Sequence, residues 1–324
     1  MESTVIPLGT AGAIPTRERH LSAVAMERKG RLLLFDCGEG TQYRLLHADL
    51  NRARVDVVFI THLHGDHLYG LPGLAATIGQ LQRDRAMTVV GPTGLQRFMA
   101  AAAGVSEQEM PYGLEVVEVE PASMQGPVTV YETDEFVVTA RPLKHRVPTV
   151  GYRLEEKPRR GRFYPAKARS LGVTDPHDFG RLHRGDAVTL PDGTTVRPSE
   201  VVGPMRPGIS FAYCTDTRPC DGGRALAEAA DLLIHDATFA HDLVDQARET
   251  GHSTAREAAS IARDASVNRL LLTHLSARYE DASDLVEEGR TVFPSTDAAV
   301  ELRRYVLDPR DKWADDVDRD SAKS

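Results

Sequence analysis

Short apolar runs that end abruptly in polar residues recur along this chain. In GRLLLFDCGEGTQYRLL an apolar strand from Leu32 to Phe35 stops at Asp36 and Gly38, ahead of a short helix. VDVVFITHLHGDH, beginning at Val55, repeats the device: a buried strand, then ligand-type side chains at its C-terminal end. LAATIGQLQR then reads as a helix and MTVVGP as the next strand, while VVTARPLK and ISFAYCTDTRP are further strands with polar exits. Strands alternating with helices predict an α/β sheet, and in such sheets functional groups gather beyond the carboxyl ends of the strands.

Two of these segments resemble each other. VDVVFITHLHG from Val55 aligns without gaps on VNRLLLTHLSA from Val267, so His62 and His274 occupy equivalent places in two structural units. This match predicts two related halves facing one site. Between them, EEKPRRGRFYPAKARSLGVTDPHDFGRLHRGDAV has no sustained period and leads into a hairpin signal, VTLPDGTTV. It reads as an inserted arm, about 157–184. The segment from Asp308 carries six Asp and four Lys or Arg with little apolar content, which predicts a loose C-terminal tail over 308–324.

The densest polar exit is THLHGDH. His62 and His64 lie two apart, so in an extended segment both project to one side and reach a common metal ion. Gly65 is expected to let the backbone turn sharply, bringing Asp66 and His67 to a point further on. Four ligand-type residues in one loop exceed what a single tetrahedral ion with an open position requires. Two metal ions are therefore expected, and a pair about 3.5–4 Å apart clamps both ends of a displacement at phosphorus. His145 and Asp216 stand at strand exits, where a carboxylate is poorly tolerated unless paired or metal-bound. His274 joins them through the internal match.

His252 is different. In GHSTAREAASIARDA, Thr254 and Glu257 form a capping-box pair, which leaves His252 in the loop before the positive end of a helix. It is expected to project toward chemistry without serving as a ligand. His235, in LLIHDATF, reads as a buried support, and His20, His47, His177, His183 and His241 have no such setting. The three cysteines, Cys37, Cys214 and Cys220, lack CxxC spacing, which argues against a disulfide framework and a thiolate zinc site.

The 324 residues suffice for one large domain or two small ones, with 41% hydrophobic and 27% charged residues. No apolar run approaches the ~18 residues of a membrane span, and the N-terminal stretch has no basic region followed by a hydrophobic one. The expectation is a cytoplasmic protein without membrane contact. The net charge of −8 conceals segregation: Arg141 to Arg184 holds 12 Lys and Arg against 4 Asp and Glu. That local excess suits a polyanion.

THLHGDH with His145, Asp216 and His274 resembles the metallo-β-lactamase superfamily. LGTAGAIPTRERH, FDCGEGTQYRLL, HLYGLPGL, HRVPTVGYRLEEK, HDATFA, GHSTAREAA and LTHLSARY narrow the resemblance to the ribonuclease Z family, the tRNA 3′-end endonucleases, over nearly the whole chain. The resemblance implies a single four-layer αββα sandwich of two related halves with an inserted basic arm. It further implies two zinc ions per subunit, with manganese or iron not excluded by the donor set. One would be held by His62, His64 and His145, the other by Asp66, His67 and His274, with Asp216 bridging. Asp66 would orient or deprotonate the attacking water and His252 would protonate the leaving oxygen. Lys157, Arg159, Arg160, Arg162, Lys167 and Arg169 of the arm would contact precursor-tRNA phosphates. The short form implies a homodimer. Where the arm of bacterial short forms has a Gly-Pro turn, this chain has DPHDFG, Asp175 to Gly180. Two other readings share the ligands: a hydrolase of a small ester, lactam or cyclic phosphodiester, and an RNA-binding protein with structural metals. The basic arm opposes the first. The cysteine-free donor set, with room for water, opposes the second.

Overall fold

In the computed structural model, residues 3–309 are described apart from 82, 84 and 107–111. The tail expected over 308–324 therefore lies, from residue 310 onward, outside the described residues. The chain divides into a main unit, Met1–Glu155 with Ile209–Asp308, and a second unit built on Glu156–Gly208.

The main unit holds two seven-stranded sheets. One runs Tyr305–Leu307, Ser3–Gly9, Ala23–Arg28, Arg31–Phe35, Val55–Phe59, Met87–Pro92 and Leu114–Val119. The other runs Thr296–Ala298, Leu270–Thr273, Leu232–Asp236, Ser210–Cys214, Val150–Glu156, Phe136–Pro142 and Val128–Glu132. The uninterrupted apolar runs follow from burial on both faces. Val57 and Phe59 point into the core between the sheets, while Val58 and Ile60 join the core beneath the outer helices. Phe35, Phe59, Tyr152, Phe211 and Tyr213 fill the space between the sheets, with Phe35 ring centroids 5.1 Å from both Phe59 and Phe211. Truncating such a ring to alanine costs about 3–5 kcal/mol. Thr41–His47 and Gly70–Gln80 cover the outside of the first sheet; Asp221–Ala227, Ala255–Asp264 and Ser283–Arg290 cover the second. The layers are thus αββα, as the family resemblance implies. Among the described residues, no helix is long and apolar enough to cross a membrane.

The helix expected from Leu74 begins earlier, at Gly70. Pro72 is accommodated because the first turn of a helix leaves its N–H groups without intrahelical partners. The Thr254–Glu257 capping box forms as expected, and Ala255, Ala258, Ala259 and Ala262 give the following helix a flat buried face.

In both sheets the central strands run parallel, so their carboxyl ends share an edge. Arg31–Phe35 and Val55–Phe59 lead into Asp36 and His62; Ser210–Cys214, Leu232–Asp236 and Leu270–Thr273 lead into Asp216, Asp236 and His274. The second unit has a small core of its own, including Ala168, Val173, Leu182, Val188, Val196 and Val201. Its helices Pro165–Ser170 and Pro176–Arg184 each start on proline, whose missing N–H is harmless there. DPHDFG forms the start of the second helix, with Asp175 accepting the His177 N–H at 2.8 Å. The predicted hairpin closes with Val188 opposite Val196.

Candidate metal centre

The strand exits bring all seven expected ligands together. His62, His64, His145 and Asp216 form one group, and Asp66, His67 and His274 a second, with the ligand atoms in each group within 4.8 Å of one another. Asp216 faces both groups. Its Oδ2 lies 3.6 Å from His62 Nε2 and 3.9 Å from His145 Nε2, whereas its Oδ1 lies 3.2 Å from both His67 Nε2 and His274 Nε2. Asp66 Oδ2 lies 3.3 Å from His67 Nε2 and 3.5 Å from His274 Nε2. Asp36, Asp216 and His274 all adopt left-handed backbone conformations, with φ of 60°, 48° and 60°. Strain of this kind concentrates at functional sites.

Each ring is aimed from behind. Asp36 is fully buried and accepts from the Thr61 hydroxyl at 2.9 Å and from His67 Nδ1 at 2.8 Å. With its proton engaged by Asp36, the Thr61 oxygen accepts from His62 Nδ1 at 3.0 Å. Asp236 repeats this in the second half. It accepts from the Thr238 hydroxyl at 2.7 Å and from His252 Nδ1 at 2.9 Å, and Thr238 accepts from His274 Nδ1 at 3.0 Å. The Gly251 carbonyl accepts from His145 Nδ1 at 2.9 Å. Gly251 has φ of 82°, and a Cβ there would sit 2.9 Å from that same nitrogen, so only glycine serves. In each of these rings Nε2 is left to face the centre.

Gly65 corrects the expectation placed on it. The short helix Gly65–Leu68 carries Asp66 and His67, and Gly65 is not among the residues of positive φ. A Cβ there would lie 2.5 Å from the Tyr69 ring, an exposed side chain that can swing aside.

A loop from the N-terminal strand steadies Asp66. The Ala13 N–H donates to Asp66 Oδ2 at 3.0 Å, and the Thr10 carbonyl accepts the Leu275 N–H at 2.8 Å. Glu301 fastens both ends of this loop, accepting the Thr10 N–H at 3.1 Å and the His20 N–H at 2.7 Å.

The donors suit divalent cations. Burial lowers the pKa of His62, His64 and His145, favouring the neutral imidazole that binds metal. Burial alone would raise the carboxyls of Asp66 and Asp216, but the facing imidazoles, His274 foremost, hold both below the ordinary range. The buried His145 Nε2 has no hydrogen-bond partner, an orphan that a cation would satisfy. Burial pushes the Cys37 thiol up to about 12, consistent with a thiolate-free centre. His252 also approaches Asp216 and His274, and its ring centroid is 5.0 Å from those of His145 and His274. Burial works against protonation of His252, but the Asp236 carboxylate outweighs it and raises the pKa above the ordinary value. His235 is buried behind the centre, outside the ligand groups.

The basic residues expected in the arm are placed unevenly. Arg160, Arg162, Lys167 and Arg169 are exposed, whereas Lys157 and Arg159 are half-buried. Arg159 pairs with Glu156 at 2.8 Å, Arg160 donates to the His183 carbonyl at 2.8 Å, and Arg169 lies over the Phe179 ring. Sequence reasoning missed Asp36 and Asp236 as supports, although both stand at strand exits as Asp216 does.

Two facing sheets with a His/Asp cluster along their carboxyl edge define a β-lactamase-superfamily protein, and the model of the "Beta-lactamase superfamily domain" family matches residues 31–210 and 201–275. The chain is 58% identical over 318 residues to Ribonuclease Z of Salinibacter ruber, covering 98% of each protein. It is 43% identical over 310 residues to Ribonuclease Z of a Nostoc species, covering 94% of each. The crystal structure of human tRNase Z, short form, matches with a TM-score of 0.69 at 30% identity, over 94% of this chain and 98% of that one. The chain belongs to the ribonuclease Z family.

Proposed function

We propose that this endoribonuclease removes the 3′ trailer from precursor tRNA, leaving a 3′-hydroxyl on the tRNA and a 5′-phosphate on the trailer. His62, His64 and His145 would hold one divalent cation, Asp66, His67 and His274 a second, and Asp216 would join them. The split orientation of the two Asp216 oxygens is the observation that carries this reading. When bound, such a pair supplies Lewis acidity, lowering the pKa of water to about 7 and neutralising charge on the phosphate. Nitrogen and oxygen donors suit zinc, and manganese or iron as well.

The side chains supply the rest. Asp66, held by the Ala13 N–H, orients or deprotonates the attacking water. Water adds to phosphorus, the P–O3′ bond breaks, and O3′ takes a proton from His252, whose Nδ1 is fixed on Asp236. An alkoxide is a poor leaving group, and a placed general acid contributes about 10²- to 10⁴-fold. Lys157, Arg159, Arg160, Arg162, Lys167 and Arg169 contact tRNA phosphates, fixing position without reading sequence. The protein works in the cytoplasm as a homodimer.

Metal analysis together with end-mapping of one cleaved precursor tRNA tests this reading. Two ions per subunit and a cut at the trailer junction are expected, with activity falling steeply as salt rises. Fewer than two ions in active protein, or equal and salt-independent turnover of the precursor and a small phosphodiester, would overturn it.

A further inference from the structure

We infer that Arg218 is a positioning residue for His252, holding the backbone of the proton donor while Asp236 holds its ring. The inference rests on the proposed role of His252. Arg218 follows Asp216 by two residues, and its N–H donates to the Lys144 carbonyl at 2.8 Å, while the Lys144 N–H donates to the Thr217 hydroxyl at 3.1 Å. The Asp216 loop is thereby tied to the segment bearing His145. From this anchored position the guanidinium forks. Nη1 donates to the His252 carbonyl at 2.6 Å and to Glu257 Oε2 at 2.7 Å, and Nη2 donates to Glu257 Oε1.

Glu257 is itself engaged, since its Oε2 accepts the Thr254 N–H at 3.0 Å in the capping box. The Ser253 hydroxyl adds a further tie to the Thr217 carbonyl at 2.5 Å. The His252 segment is therefore fastened at residues 252 and 253 to the loop that carries Asp216, and at 254 to Glu257, which the same guanidinium holds. The Arg218 and Glu257 side chains are only 13% and 17% exposed, so solvent screens the pair little. A planar fork can serve the carbonyl and the carboxylate together, whereas a lysine ammonium on a flexible stem is a single point charge. Asp236 fixes the direction of Nδ1, but the distance from Nε2 to the leaving oxygen depends on where the His252 backbone stands. A shift of about 1 Å in such a group costs on the order of 10²-fold in rate.

The test compares wild type, Arg218→Ala, Arg218→Lys, His252→Ala and the Arg218→Ala/His252→Ala double variant on two substrates. One is a precursor tRNA with a 3′ trailer. The other is bis(p-nitrophenyl) phosphate, whose nitrophenolate departs without needing a proton. Arg218→Ala is expected to lower kcat on precursor tRNA about 10²-fold with KM little changed, and to spare the nitrophenyl ester. In the His252→Ala background the same change should cost almost nothing further, because both act through one proton transfer. Arg218→Lys should show most of the same split, and it carries the comparison if the alanine variant does not fold. Equal losses on both substrates in the lysine variant, or full additivity in the double variant, overturn the role of Arg218 alone. Wild-type protein that hydrolyses the ester yet leaves precursor tRNA uncut overturns the proposed function, and this role with it.

Discussion

The two halves of the sandwich meet the centre with the same device and put it to different ends. In the first, Asp36 holds His62 through Thr61 and His67 directly. In the second, Asp236 holds His274 through Thr238 and His252 directly. The rings reached through threonine, His62 and His274, both stand in Thr-His-Leu beyond the end of an apolar strand. The directly held rings diverge: His67 faces Asp66 and Asp216, whereas His252 approaches Asp216 and His274 in a third cluster that shares both residues with the other two groups. A carboxylate on Nδ1 makes the far nitrogen a better donor to a cation, and it equally strengthens the ring's hold on a proton. On the proposed function, one arrangement thus serves a ligand in the first half and an acid in the second.

Three substitutions sharpen that contrast. The largest effect is expected from His252→Ala, which should lower the cleavage rate of precursor tRNA about 10²- to 10⁴-fold while zinc content and tRNA binding persist. Single-turnover cleavage alongside metal analysis measures this, and undiminished cleavage removes His252 from the chemistry. Next is Asp36→Asn, which should weaken metal affinity about 10- to 100-fold, because two rings lose their anchor. Competition with a chelator reads it directly; wild-type affinity would mean that the first half does not depend on its carboxylate.

The smallest expected effect is that of Asp236→Asn on the pH profile. Asp236 raises the pKa of His252, so the acid form persists above the ordinary imidazole value of about 6.5 and is lost as pH rises through the raised value. Asparagine should move the alkaline fall in kcat to lower pH. A profile that stays in place would break the parallel between the halves.

Much of this centre was legible because metal ligation constrains residue type and spacing locally. THLHGDH declares itself, and His145, Asp216 and His274 stand out as polar groups at the ends of buried strands. The carboxylates behind them were not legible. Asp36 is 25 residues from Thr61 in sequence, a separation that carries no periodic signal. The argument that a carboxylate at a strand exit needs partners applied to Asp36 and Asp236 as much as to Asp216, yet it cannot say whether the partner is a cation or an imidazole. Arg218 offers even less, since its partners, the His252 carbonyl and the Glu257 carboxylate, lie 34 and 39 residues further along the chain. The helices of the second unit were missed because Pro165–Ser170 and Pro176–Arg184 are too short for a 3.6-residue period to emerge.

The clasp that Glu301 places on the loop beneath Asp66 bears on how the protein is made. It is translated after every histidine and aspartate of the centre. A chain still emerging from the ribosome therefore holds the residues of the centre before the side chain that ties down both ends of this loop has been made.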